Sequence, residues 1–299
     1  MKQNAGMRGI SAPVLTPFHA DGSINYSEYQ RLLEYLVENG IHGLFVCGTT
    51  GEFINLTIEE RKKILEKTME IVPKEVNVMY NTTAMNLRQI EELLDWADKC
   101  GVDTVSFTSP YYHRYDASAL TAYFQTVSKL AKGKNVYLYN MPGMTNNPIT
   151  PQILKAVEET RPNVRGIKDS SMDFMVMLNY QSLLQNDTFE LITGNDAQVL
   201  TALQAGAAGG VIATASVFPA LCMEIWDKFY AGDLEGARRA QDKVLRLREM
   251  FRGVMPVMSH KQALNLQGFD MGPARFPFRD LRKDEAARVE STLRTLELI

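Results

Sequence analysis

Apolar runs of strand length alternate with helix-period segments along almost the whole chain. Strands are predicted near Gly9 to Ala12, Gly43 to Cys47, Val76 to Tyr80, Thr104 to Phe107, Val136 to Tyr139, Arg165 to Lys168, Phe189 to Ile192 and Gly209 to Ala213. Most are continuously apolar instead of alternating, the mark of strands buried on both faces in a parallel sheet under helices. Between them, Tyr29, Leu32, Leu33, Leu36 and Val37 line one helical face ended by Gly40, and Ile90, Leu93, Leu94 and Ala97 line another before Gly101. Ser27 with Gln30 and Thr57 with Glu60 make capping-box patterns, and Thr150 precedes a proline at the first helical position. Eight strand-then-helix units predict a (β/α)8 barrel, the TIM-barrel architecture, over residues 1–218. An open doubly wound sheet would normally carry a glycine-rich dinucleotide turn after its first strand, and none is present. Residues 219–299 add helical patterns at Pro219 to Tyr230, Leu234 to Arg252, His260 to Leu266 and Lys283 to Leu298, with a loop at Gly272 to Phe278. No flexible linker separates them, so they are expected as a C-terminal helical extension packed on the barrel.

Composition narrows the class without naming a chemistry. The 299 residues are 45% hydrophobic and 22% charged, and the formal net charge of -3 gives no reason to expect nucleic acid or an anionic membrane as partner. Cys47, Cys100 and Cys222 are odd in number, widely spaced and outside any C-x-x-C, and read as buried thiols in a reducing compartment. The first nine residues lack a signal-peptide core and no stretch is long enough to span a bilayer, so a cytoplasmic location is expected. His19, His42, His113 and His260 fall in no metal-binding spacing, and neither a metal nor a cofactor is expected.

The chemistry gathers at predicted strand ends, where barrels of this kind carry their active sites. Lys168 ends the run Val164-Arg165-Gly166-Ile167 and is followed by Asp169-Ser170-Ser171. An ammonium buried among apolar groups loses hydration and gives up its proton more readily, and a neutral amine attacks a ketone to form a Schiff base. Lysines also end strands simply by reaching to water, so the position gains weight only from its company. Gly48-Thr49-Thr50-Gly51-Glu52 follows the second strand, either a plain turn or a cradle of backbone N–H groups for a carboxylate. Pro110-Tyr111-Tyr112 follows the fourth, and Tyr139-Asn140-Met141-Pro142-Gly143 puts a phenol at the end of the fifth. Buried tyrosines serve packing more often than proton transfer. Gly194-Asn195-Asp196 follows the seventh strand, and Gly209-Gly210-Val211-Ile212 in the eighth is expected to leave room for a ligand. An amine nucleophile, phenols, hydroxyls and an anion cradle together point to imine chemistry on a 2-oxo acid.

These motifs, in this order and spacing, resemble the N-acetylneuraminate lyase / dihydrodipicolinate synthase family of class I, pyruvate-dependent aldolases, over nearly the whole chain. The resemblance implies that Lys168 forms the Schiff base with pyruvate and that Tyr139 shuttles protons. It implies that Thr49 links Tyr139 to Tyr112, the latter reaching from a neighbouring subunit of a homotetramer built as a dimer of dimers. Thr50 would hold the pyruvate carboxylate and Ile212 would close the pocket.

Departures from the family pattern narrow the aldehyde partner. Dihydrodipicolinate synthases typically carry an arginine two residues after the proline of Tyr-Asn-x-Pro, gripping the carboxylate of the aldehyde; here Met144 stands there, and a thioether cannot replace a bidentate guanidinium. The positions that bind feedback lysine in many synthases hold Ile58, Arg61, Met85 and Gln89. Sialic acid lyases generally have Ser in place of Thr49 and an acidic residue where this chain has Ala197. The expectation is therefore an aldolase cleaving a 2-keto-3-deoxy sugar acid to pyruvate and a hydroxyaldehyde, with Asp196 and Ser170 near the sugar hydroxyls and Gly194 also lining the substrate site. Dihydrodipicolinate synthase, N-acetylneuraminate lyase, a dehydratase using the same imine and a non-catalytic homologue are the alternatives.

Overall fold

Every apolar run read as a strand is one, with ends displaced by at most two residues. The computed structural model describes residues 6–183, 188–251 and 256–299. Its strands are β1 (Gly9–Pro13), β2 (Gly43–Val46), β3 (Asn77–Asn81), β4 (Thr104–Thr108), β5 (Asn135–Asn140), β6 (Val164–Asp169), β7 (Glu190–Thr193) and β8 (Gly209–Val211). They close into a barrel in sequential order, with helices between strands and further helices after β8: a (β/α)8 barrel. Among the described residues, no helix is long and apolar enough to cross a membrane.

The chain divides into two compact units, Met1–Gly9 with Asn77–Val211, and Ile10–Val76 with Ile212–Ile299. In the first, β4, β5, β6 and β7 pair in parallel. The register of β5 against β6 shifts by one residue near its start: Val136 faces Val164 but Tyr137 faces Gly166. A one-residue slip moves every later side chain to the other face. The shift is what sets Tyr139 opposite Lys168 and Asn140 opposite Asp169. In the same unit the helix Leu87–Lys99, capped by Asn86, buries Ile90, Leu93, Leu94 and Ala97 as their spacing predicts. Each such leucine contributes about 1.5–3 kcal/mol of transfer free energy.

The second unit holds the helices Tyr26–Glu38 and Ile58–Ile71 and, after β8, Pro219–Tyr230, Leu234–Phe251, Pro256–Asn265 and Lys283–Thr295. The predicted box at Thr57 and Glu60 forms reciprocally, and in the first unit Thr150 caps Pro151–Glu158. The box at Ser27 and Gln30 does not form. Asn25 caps that helix instead, accepting from the Glu28 amide, while Ser27 Oγ donates to Asn25 Oδ1 at 2.7 Å. Asparagine caps as well as serine does, and here the chain turns two residues earlier. Arg252, the expected last residue of the Leu234 helix, lies outside the described residues, as do the first five residues of the polar N-terminus. The loop Gly272 to Phe278 is tied down by Arg275, whose guanidinium meets both carboxylate oxygens of Glu60 at 2.7 and 2.9 Å. Cys47 and Cys222 are buried as expected, whereas Cys100, at a helix end, is half-buried.

Candidate active site

Lys168 and Tyr139 meet at the ends of β6 and β5. Lys168 is 4% and Tyr139 2% exposed; an amine so enclosed is not a strand-end lysine reaching to water. Its Nζ lies 3.9 Å from the centroid of the Tyr139 ring. The ring and the strand wall thus hold a potential nucleophile beside a phenol, the pairing that imine formation and its proton transfers need.

Behind this pair the next residue on each strand does structural work. Side chains alternate along a strand, so Asn140 and Asp169 point away from the face that carries Tyr139 and Lys168. Asn140 Nδ2 donates to Asp169 Oδ1 at 2.7 Å and to Tyr180 Oη at 3.1 Å, and Asn140 Oδ1 accepts from the Ile149 amide at 2.9 Å. Tyr180 Oη donates in turn to the Ile149 carbonyl. Asp169 Oδ2 takes the Ser171 hydroxyl at 2.7 Å. Burial pushes the Asp169 carboxyl up from the ordinary carboxylate range against the pull of bonds from Ser171 and Asn140, and burial, then Asp169, push the Tyr180 phenol up. Beyond the strand ends, Ser170 N donates to the Asn140 carbonyl at 2.8 Å and Gly194 N to the Asp169 carbonyl at 2.6 Å.

Of the other expected residues in this unit, Gly194 and Ser170 join Lys168. A Cβ at Gly194 would stand 1.9 Å from Ser170 Oγ and 3.0 Å from Lys168 Cε, so only glycine admits both. Asp196 opens a short 3-10 turn, Asp196–Gln198, capped by Asn195. Tyr112 sits on the loop after β4, 86% exposed, with φ of 82°. The expectation that Gly209 leaves room for a ligand is corrected: a Cβ there would lie 2.0 Å from the Gly9 carbonyl oxygen, so the glycine permits strand packing instead.

In the other unit, Thr49 and Thr50 stand half-buried in the turn after β2, between two residues with left-handed backbone, Cys47 (φ 55°) and Glu52 (φ 59°). The turn closes on itself through Glu52 N to Thr49 O at 3.1 Å and Phe53 N to Gly48 O at 3.3 Å. Thr16 Oγ1 holds the Gly51 carbonyl at 2.8 Å. Lys261 Nζ meets Glu52 Oε1 at 2.7 Å with both side chains wholly buried, and lies 4.4 Å from the Phe18 ring centroid. Burial raises the Glu52 carboxyl against the pull of Lys261 and lowers the Lys261 ammonium against the pull of Glu52. Burial also pushes the Cys47 thiol up to about 12, which makes it a packing group and not a nucleophile. Ile212, fully buried just past β8, donates its amide to the Ser11 carbonyl at 3.2 Å.

Reading the sequence missed Asn140, Asp169, Asn147, Glu52 and Lys261 as supports. Lys261 alone left a usable trace, since with Val257, Met258 and Leu264 it falls on the apolar face of its helix, an odd place for a cation. Among the described residues, no three His, Cys, Asp or Glu side chains gather as a metal site would require.

A parallel eight-stranded barrel with an enclosed lysine against a strand-end tyrosine defines an enzyme scaffold suited to Schiff-base chemistry. The chain matches the Dihydrodipicolinate synthetase family over residues 6–296 and belongs to it; it is therefore a class I, pyruvate-dependent carbon–carbon lyase. It is 32% identical over 293 residues to a 4-hydroxy-tetrahydrodipicolinate synthase of Clostridium perfringens, covering 98% of this chain and 99% of the relative. It is 33% identical over 294 residues to an uncharacterised DapA-like lyase of Halobacterium salinarum, covering 98% and 95%. Among solved structures it resembles YagE, a prophage protein of the dihydrodipicolinic acid synthase family from E. coli K12 in complex with pyruvate, with a TM-score of 0.94 at 28% identity, covering 99% of this chain and all of that one. Dihydrodipicolinate synthase from Thermotoga maritima gives a TM-score of 0.92, also at 28% identity, covering 98% and 100%.

Proposed function

We propose that this protein cleaves a 2-keto-3-deoxy sugar acid to pyruvate and a hydroxyaldehyde through an imine on Lys168. The Lys168 amine adds to the C2 ketone and water leaves, giving the ketimine. A base takes the C4 hydroxyl proton, the C3–C4 bond breaks, and its electrons run into the imine to form an enamine while the aldehyde departs. The enamine takes a proton at C3, and water hydrolyses the resulting imine to pyruvate and free lysine. Tyr139 is the group proposed to move these protons, relayed through Thr49 to Tyr112 of a neighbouring subunit in a homotetramer. Thr50 is assigned to the pyruvate carboxylate, Ile212 to closing the pocket, and Ser170, Gly194 and Asp196 to the sugar end. Cysteines outside any disulfide fit a cytoplasmic setting.

The observation that carries the imine half is the enclosure of Lys168 against Tyr139. The aldehyde half rests on Met144, 62% exposed on the short helix Pro142–Thr145 that follows β5, where a carboxylate-bearing aldehyde would want a guanidinium. Condensation of pyruvate with aspartate semialdehyde is the second reading, favoured by the name of the Clostridium perfringens relative.

Pyruvate release from 2-keto-3-deoxygluconate is the deciding assay, with the Lys168→Ala protein as control. Lys168-dependent release supports the sugar-acid reading. Absence of release from protein that still traps pyruvate with borohydride would reject that substrate and turn attention to aspartate semialdehyde. Tyr139→Phe is expected to lower kcat by about 10²-fold, the usual loss on removing a positioned acid–base group; unchanged turnover would show that the protons travel elsewhere.

A further inference from the structure

Tyr112 has a backbone that its own side chain disfavours. A bulky residue with positive φ costs about 1–3 kcal/mol and persists only where its surroundings fix it. Its ring is 86% exposed, so burial of that side chain does not supply the constraint. Its ring meets that of the adjacent His113 edge-to-face, at 4.9 Å between centroids, on the same loop.

The constraint comes from one buried asparagine on another segment. Asn147, 1% exposed, lies between the helix Pro142–Thr145 and Ile149. Its Nδ2 lies 2.8 Å from the Pro110 carbonyl oxygen and 2.7 Å from that of His113, with the Thr145 carbonyl oxygen at 3.0 Å. Its Oδ1 accepts from the Tyr115 amide at 2.8 Å. One side chain therefore binds the backbone on both sides of Tyr112. A carboxamide is the side chain of this size that donates twice and accepts as well; a carboxylate would turn acceptors towards carbonyl oxygens.

Asn147 is itself fixed. Thr145 Oγ1 accepts from the Asn147 amide at 3.3 Å, and two residues further on the Ile149 amide is held by Asn140 Oδ1, next to Tyr139. Polar contacts at Ile149 and at Asn147, joined by two residues of main chain, connect the end of β5 to the loop after β4.

We infer that Asn147 is a positioning residue that fixes the Tyr112 loop relative to the strand end carrying Tyr139. Its catalytic consequence rests on the proton-relay reading of Tyr112 given above.

The test is a double-mutant cycle of Tyr112→Phe and Asn147→Asp, scored by the rate of borohydride-trapped adduct formation with pyruvate, beside hydrogen exchange of the amides of residues 111–115. Asn147→Asp is expected to slow adduct formation by about 10-fold or more, since displacing a catalytic group by roughly an ångström can cost up to about 10²-fold. Most of that loss should vanish in the Tyr112→Phe background, because groups acting as one unit are not additive. Exchange at 111–115 should quicken while β4 and β5 stay protected. Asn147→Ser, keeping one donor, should fall between, and serves if the aspartate variant does not fold. Additive losses, or exchange unchanged in the folded variant, would overturn the inference. A silent Tyr112→Phe with quickened exchange would support the anchor and count against the relay.

Discussion

Alanine at position 168 is expected to abolish the covalent adduct with pyruvate and to lower turnover by on the order of 10⁴-fold or more, the scale for losing a nucleophile. The fold should survive. Truncating a buried lysine removes packing from its stem, as any large-to-small change does, but it also removes a polar group that burial strips of water. The two effects oppose one another. The strand hydrogen bonds around residue 168 are main-chain and persist whatever the side chain, and the register with Tyr139 and Ile192 does not depend on the amine. Circular dichroism and a melting curve close to the parent's would accompany the lost adduct. An adduct that persists in the folded variant would move the imine to another lysine and remove the basis of the mechanism.

Lys261→Met is expected to destabilise the protein by about 3–5 kcal/mol, the range for leaving one member of a buried ion pair unpartnered. Glu52 then remains wholly buried without its cation. The double variant Glu52→Gln/Lys261→Met should recover most of the loss, because replacing both charges removes the uncompensated one. The single variant also carries a pH signature. Burial already raises the Glu52 carboxyl in the presence of Lys261, and loss of that cation removes the largest opposing influence. Folded Lys261→Met therefore holds a proton that the unfolded chain releases in the ordinary carboxylate range. Its stability falls as pH rises from that range through the raised folded value, and lowering the pH to about 5 restores part of it. Urea unfolding at several pH values reads this directly. A Lys261→Met protein as stable as its parent at neutral pH would mean that the pair contributes nothing net.

The barrel was legible because buried strands leave runs of apolar residues that few other structures need, and Thr57, Thr150 and the Leu93 stripe behave as local rules dictate. Lys168 and Tyr139 were legible as strand-end residues, and the family resemblance gave them roles. Their juxtaposition was not legible, because it depends on the register shift beside Val136, which no local pattern records. Asn147 was opaque for a related reason: its partners at Pro110 and His113 are far along the chain, and the pair Asn146-Asn147 before a proline looks like a surface turn. Gly209 misled because an absent side chain can make way for backbone as readily as for a ligand. Asn25 lost to Ser27 in the reading of the first helix because both residue types cap, and the tertiary path of the chain chose between them.

The double hold on Ile149, its amide on Asn140 and its carbonyl on Tyr180, means that residues 142–148 leave and rejoin the scaffold at fixed points. A segment clamped at both ends behaves as an exchangeable cassette. Exposed positions within it, Met144 among them, can change while Asn147 and the amine and phenol on the strands keep their places. Divergence of substrate range without loss of the shared first chemical step is the expected evolutionary history of such an arrangement.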